Sequence, residues 1–325
     1  MAQVQKYGRK AQLNFVLEAT TGTFEVPAGD GSAMMLIEDG WSYTVNAENY
    51  LPKYSTADWL NMDGVPGKKH VVITFRLPLK GSGTAGTAPE FDAVLKSLGW
   101  DVTNVAVTSD TYAPVSTFSG AGNPGGSYSC SLIVDGFRYA GKNGFCTATI
   151  SGEVGQPGFL EVTYTGGYVA PAADALEAVS GYDTTIPPAF MGGALTIAGA
   201  TPTGITAFSV DLGGNVVLIE DMNDAHGIAG ARITDRTITG SVNVEMLIAR
   251  DDFALWAAGT TGAITTGAIG GTAGNKWTLA ITRAWRDTPS MAQEEGIVKH
   301  TIPFMASSVV TDVEGTTDPA TLAFT

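Results

Sequence analysis

Gly81, Gly83 and Gly86 stand in the order G-x-G-x-x-G within GSGTAGTAPEFDAVLKSLGW, residues 81–100. After a strand and before a helix, that spacing can wrap backbone N–H groups around a dinucleotide pyrophosphate, with an acidic residue about 20 positions on for the ribose. Asp101 occupies that place. The surroundings argue against this chemistry. A nucleotide-binding first strand is buried on both faces and reads as a continuous apolar run. Here Val71, Ile73, Phe75, Leu77 and Leu79 alternate with Val72, Thr74, Arg76, Pro78 and Lys80. That pattern puts Arg76 and Lys80 on an outer face, and a central parallel strand would reject Pro78. Gly86 also precedes the helix, which Pro89 opens, whereas the third glycine should sit at the helix start. The segment reads as a flexible loop joining a sheet edge to a flanking helix.

The remaining reactive residue types are scattered. Glu220, Asp221, Asp224 and His226 cluster in IEDMNDAH, a weak cation site or a solvated loop. The cluster lacks the spacing and glycine of a calcium-binding loop. His70, His226 and His300 have no partner at i+4, and neither G-x-S-x-G nor a phosphate-binding loop occurs. No catalytic constellation, cofactor site or metal site is expected. Cys130 and Cys146 are expected to stay reduced and buried.

The composition points away from nucleic-acid wrapping. The net charge is −14, and the charged fraction is 15% where about 25% is usual. An acidic chain does not neutralise phosphates, though it would let nucleic acid slide past. With 41 glycines and 44% hydrophobic residues, the chain reads as a Gly/Thr/Ser-rich β protein or one that hides surface in an assembly. There is no run long enough for a transmembrane helix and no secretory h-region at the start, so folding in the cytoplasm is expected.

Period-two alternation dominates. It recurs around Tyr128–Val134, Leu160–Tyr164, Ile238–Met246 and Trp277–Ile281, which predicts antiparallel sheet with one polar face. Two short helices are expected. One places Phe91, Val94, Leu95 and Leu98 at i, i+3, i+4 and i+7 before Gly99. The other opens at Asp251 or Asp252 and presents Phe253, Trp256 and Ala257. Each should pack one face on a sheet.

The order of elements repeats. SYTVNAENYLPKY from Ser42 resembles AFSVDLGGNVVLI from Ala207, and each precedes a long strand, a short helix and a glycine-rich loop. This suggests a divergent duplication. The expected organisation is mainly β: two tandem sandwich or barrel domains, each with a short flanking helix, at 1–168 and 189–325, with a connector at 169–188.

VVITFRLPLKGSGTAGTAPEFDAVLKSLGW resembles the core segment of the major tail tube proteins of long, flexible-tailed bacteriophages, with Leu98 where that family places Cys. LNFVLEATTGTFEVPAGDGSAMM, YAPVS, VDGFRY and SGEVGQPGFLEVTYTG are similar to further segments of the family in the same order. The likeness covers about the first 168 residues, and the second half fits only as a repeat of the same domain.

The resemblance implies a structural virion protein of the phage tail, assembled in the host cytoplasm. Its inner sheets would join side by side into a barrel, and stacked rings would form a hollow tube through which DNA leaves the capsid. A two-domain chain implies trimeric rings with pseudo-sixfold symmetry, and hexameric rings are the alternative. The partners implied are other copies of the chain, the tail tip, the tape measure and the terminator proteins, with DNA passing unbound and no membrane. Residues 47–69 and the N-terminal arm would bridge rings. Met34, Met35, Tyr50, Tyr54 and Trp59 are candidate contact residues between subunits or rings, or else core residues. Phe91 and Leu95 lie on a helix that caps its own sheet or packs between subunits. The competing readings are a β-sandwich adhesin-like binding module of a tail, a carboxylate-pair glycan hydrolase, and a spike-hub or terminator ring.

Overall fold

The computed structural model describes residues 10–26, 33–37, 40–53, 63–115, 126–176, 178, 182–246, 251–294, 296–308 and 318–325. The chain is mainly β, with 56% strand and 4% helix. Its first half contains β1 (Ala11–Leu17), β2 (Ala33–Met34), β3 (Trp41–Tyr50), β4 (Val65–Pro78), α1 (Asp92–Ser97), β5 (Trp100–Val105), β6 (Ser109–Pro114), β7 (Tyr128–Val134), β8 (Phe137–Glu153) and β9 (Phe159–Ala173). The second contains β10 (Thr196–Ile197), β11 (Ala207–Asp211), β12 (Asn215–Glu220), β13 (Ile228–Asp235), β14 (Thr239–Glu245), α2 (Asp252–Ala257), β15 (Thr261–Thr265), β16 (Trp277–Arg286), β17 (Ser290–Glu294), β18 (Ile297–Ala306) and β19 (Ala320–Phe324).

The long strands form one antiparallel row in the order β3-β4-β9-β8-β11-β14-β18-β17. Alternation explains it: Val71, Ile73, Phe75 and Leu77 of β4 face inward with Leu160, Val162 and Tyr164 of β9. A second row runs β5-β6-β19-β16-β15-β10, while β1 and β2 attach to β8 through β7. One hydrophobic core serves both halves. Trp277 stacks on Phe190, with ring centroids 6.1 Å apart, and Phe324 of β19 meets Tyr112 of β6 edge-on.

Helix α1 buries Val94 and Leu95, with Phe91 and Leu98 at its ends, as its spacing predicts. Helix α2 differs. Asp251 caps it by accepting from Ala254 N–H, but Phe253 and Trp256 stay exposed. The buried residue is Asp252, which hydrogen-bonds His300 at 3.2 Å. The Asp252–His300 pair seats this helix, with Phe253 edge-on to the same imidazole at 5.5 Å.

Two further expectations are corrected. Lys80 lies inside, not on an outer face: its ammonium is 3.5 Å from Glu90 and 3.2 Å from Asp183. It sits just past the end of β4, where two distant carboxylates converge and offset the cost of burying the charge. The glycine-rich segment does not join a sheet edge, because β4 lies between β3 and β9. Nor is it a free loop. Gly83 N–H donates to the Gly274 carbonyl at 3.0 Å, and Gly81 N–H donates to Asn275 Oδ1 at 3.0 Å. A Cβ on Gly81 would fall 2.1 Å from the Gly274 carbonyl oxygen. The glycines let two loops from opposite halves lie backbone to backbone.

Candidate functional site

The feature with functional content is the seam between the halves and the two edges it leaves. At the seam, β8 pairs with β11: Ile150 lies opposite Val210 and Ser151 opposite Ser209. On the core side Ile150, Phe208, Val210 and Leu212 are buried, each contributing about 1.5–3 kcal/mol by leaving water. On the other side the seam is hydroxylic. Ser151, Ser209 and Ser241 sit abreast on three neighbouring strands, and Thr74 and Thr163 continue that face across β4 and β9.

The strands on either side of the seam have matching connectivity. In the first set β3 pairs with β4, β4 with β9, and β9 with β8. In the second β11 pairs with β14, β14 with β18, and β18 with β17. Among the described residues, β3 has no strand partner beyond β4, and β17 has none beyond β18. The two outer edges of the eight-stranded row are therefore open. Val45 on β3 is 39% exposed and Met291 on β17 is 63% exposed, and each is on the face that is core-side in its own strand. Open edges carrying apolar side chains are templates for pairing with another chain.

The sequence-predicted contact residues divide. Tyr50 stands at the end of β3, 68% exposed. Met35 is exposed, its N–H donating to Glu90 Oε1 at 2.9 Å. Met34 is buried opposite Leu13. Phe91 and Leu95 are buried within their own chain, Phe91 edge-on to Phe324 at 5.7 Å. Tyr54 and Trp59 lie outside the described residues. Val45 and Met291 were not singled out from the sequence, because nothing local marks a strand as an edge.

The acidic cluster is occupied by lysines of the first half. Glu220 pairs with Lys68 at 2.5 Å, and Asp224 pairs with Lys142 at 3.3 Å. Asp221 caps its own turn by accepting from Asn223 N–H. Burial would raise the Asp224 carboxyl, but the His226 N–H and Lys142 outweigh it and hold it below its ordinary value. Among the described residues no three His, Cys, Asp or Glu side chains gather as a metal site. The cysteines are buried thiols: burial pushes Cys146 up to about 12, and it pushes Cys130 up as well.

A family profile described as Phage tail tube protein matches residues 8–321. The chain belongs to the phage tail tube family. A search of the curated proteins gives no match. Family membership makes this a structural protein of the bacteriophage virion, located in the tail, and implies self-assembly into a tube with other tail proteins. No helix among the described residues is long and apolar enough to cross a membrane. For a tail tube protein, open strand edges are where assembly contacts would be sought first.

Proposed function

We propose that this chain builds the hollow tail tube by pairing β17 of one copy with β3 of the next, closing rings that stack and deliver DNA through their bore. The observation that carries this reading is the β8–β11 seam, where the edge of one four-stranded set already joins the first strand of another. Repeating that junction between copies is a head-to-tail contact, which closes into a ring when the rotation allows.

The internal seam gives the register. Tyr43, Ile73 and Tyr164 lie side by side in the first set, as Phe208, Val242 and Ile302 do in the second. Carrying the Val210–Ile150 pairing over on this match sets Val45 opposite Gln293 and Ala47 opposite Met291. Met291 then takes the place of buried Ala148, and both exposed apolar residues leave water.

Two sets per chain support a divergent duplication and a trimeric ring with pseudo-sixfold symmetry. Three copies of eight strands would make a barrel of about 24, wider than barrels of roughly 16–18 strands that already leave an aqueous channel. Six copies would double it. The hydroxyl-rich face would line the bore. The cations on that face are matched by carboxylates, Arg76 by Glu161 and Lys142 by Asp224, each at 3.3 Å, and the net charge is −14, so the bore would capture phosphates poorly and DNA would pass unbound. The role is non-enzymatic, and the tail tip, tape measure and terminator proteins would meet the tube at its ends and interior.

The test is negative-stain electron microscopy across a concentration series, with end-on averaging. Hollow stacked rings are expected, with six lobes in three-fold arrangement. Val45→Asp and Met291→Asp should each keep the far-ultraviolet spectrum of the fold yet stop assembly. Monodisperse particles at every concentration, even with preformed tail tips added, would move the assignment to a binding module of the tail.

A further inference from the structure

We infer that the outer part of the β3–β4 hairpin lies over β16 and β18 of the ring neighbour, with Tyr50, Leu51 and Val65 packed against Trp285 and Met305. The inference rests on the β17–β3 ring contact and assigns it a second contact surface.

The internal seam supplies the precedent. The β11–β14 hairpin extends beyond the sheet as β12–β13, and this extension lies across the first half. His226 accepts from Lys69 N–H at 3.1 Å through its carbonyl, and its ring stands edge-on to Tyr168 at 4.9 Å. Asn143 Nδ2 donates to the Ala229 carbonyl at 2.8 Å, and Asp224 reaches Lys142. The strand positions beneath the extension are Lys142 on β8, opposite Gly167 on β9, which lies opposite His70 on β4.

The second half has the same positions. Trp285 on β16 lies opposite Met305 on β18, which lies opposite Thr239 on β14. The register match that equates Tyr164 with Ile302 equates Gly167 with Met305. Among the described residues no extension covers this place, and Trp285 is 37% exposed. Beyond Asn46 and His70, the β3–β4 hairpin is the counterpart of β12–β13. Both hairpins are pinched at the same level by a glycine. A Cβ on Gly67 would fall 2.2 Å from the Glu48 carbonyl oxygen, and one on Gly213 would fall 2.3 Å from that of Thr237.

The chemistry selects the occupant. The internal extension carries Glu220 and Asp224, and its receiving surface carries Lys68 and Lys142. The open site instead centres on Trp285 and Met305, with Asp211 and Asp287 at its rim, and the outer end of the β3–β4 hairpin carries exposed Tyr50, Leu51 and Val65. An apolar end matches an apolar receptor, whereas a β12–β13 extension from another copy would bury its carboxylates there unpaired.

The experiment uses full-length Leu51→Cys/Met305→Cys, a short bis-maleimide and denaturing gels. The native thiols are buried and stay silent. Expected is a ladder of covalent multimers, present only after assembly and absent from both single variants. It should stop at the number of chains counted per ring in end-on averages. A ladder running past that number would mean that the hairpin bridges rings, and it would overturn the proposal. Rings without any ladder would overturn it while leaving the β17–β3 reading intact, and failure to form rings at all would sink both. Independently, Trp285→Ala should raise the concentration needed for assembly on the order of tenfold, with the monomer's thermal melt within a few degrees of the parent. Assembly at the parental concentration would count against the contact.

Discussion

Phe324 meets Phe91 edge-on, with ring centroids 5.7 Å apart, although more than two hundred positions separate them in the chain. The pair ties β19 to the segment that opens α1. Phe324→Ala would leave a cavity between the two halves and should destabilise the fold by about 3–5 kcal/mol. Urea unfolding with two probes would check this, and a loss under 1 kcal/mol would mean that the halves stand without the β19 seam.

Glu18 is a buried carboxylate held by four donors: Gly22 N–H at 2.8 Å, Ser127 Oγ at 2.6 Å, Ser129 Oγ at 2.8 Å and Asn143 N–H at 2.5 Å. Glu18→Ala would leave these donors without their acceptor. A cost of about 3 kcal/mol is expected, with amide exchange accelerated first at Gly22 and Asn143.

Asp183 gives a pH signature. Burial would raise its carboxyl, but the Thr185 hydroxyl and N–H and the Lys80 ammonium overcome this and hold it below its ordinary value. The folded state therefore binds the proton less readily than the unfolded chain. The resulting stabilisation is full above the ordinary carboxylate range and is lost as pH falls through the depressed value. Asp183→Asn should cost about 1–2 kcal/mol at pH 7, shrinking toward zero in strong acid. A cost independent of pH would refute the linkage. Glu90 runs the other way: burial raises its carboxyl, Lys80 and the Met35 N–H only partly offsetting it, so its ionisation opposes folding as pH rises.

The two thiols offer a cheap check of the core. Cys130 and Cys146 are fully buried, and burial holds both in the protonated, unreactive form. A chromogenic disulfide reagent should label neither in the native protein and both in 6 M guanidinium. Rapid native labelling would show that β7 and β8 open readily.

Much of this architecture is legible in the sequence, because a half-buried strand writes a period of two into the chain. β4, β9 and β14 follow from that rule, and α1 follows from its 3.6 period. The likeness of Tyr43-Thr44-Val45-Asn46 to Phe208-Ser209-Val210-Asp211 places two strands that do occupy equivalent positions in their sets. The edges were not legible. Whether Val45 or Val210 meets a neighbour depends on which strand arrives beside it, and that is a non-local choice. Lys80 misled for a related reason: alternation describes a strand's own faces, while Glu90 and Asp183 come from elsewhere in the chain. The exposed face of α2 shows that amphipathic spacing reports what a helix could bury, not what it does bury.

The placement of β19 bears on how the protein is made. β6 gains its second neighbour only when residues 320–324 arrive, since β19 fills the gap between β6 and β16. Until then, among the described residues, the first half exposes a bare edge at β6, and a second at β8 until β11 emerges. Contacts of such long sequence separation form slowly, and unfinished edges are where nascent chains stick to one another. A ribosome that stalls short of residue 320 would release a chain with an unsealed sheet. Yield in a producing cell should depend on elongation through the codons for residues 320–324 and on chaperone supply more than on the stability of the finished fold.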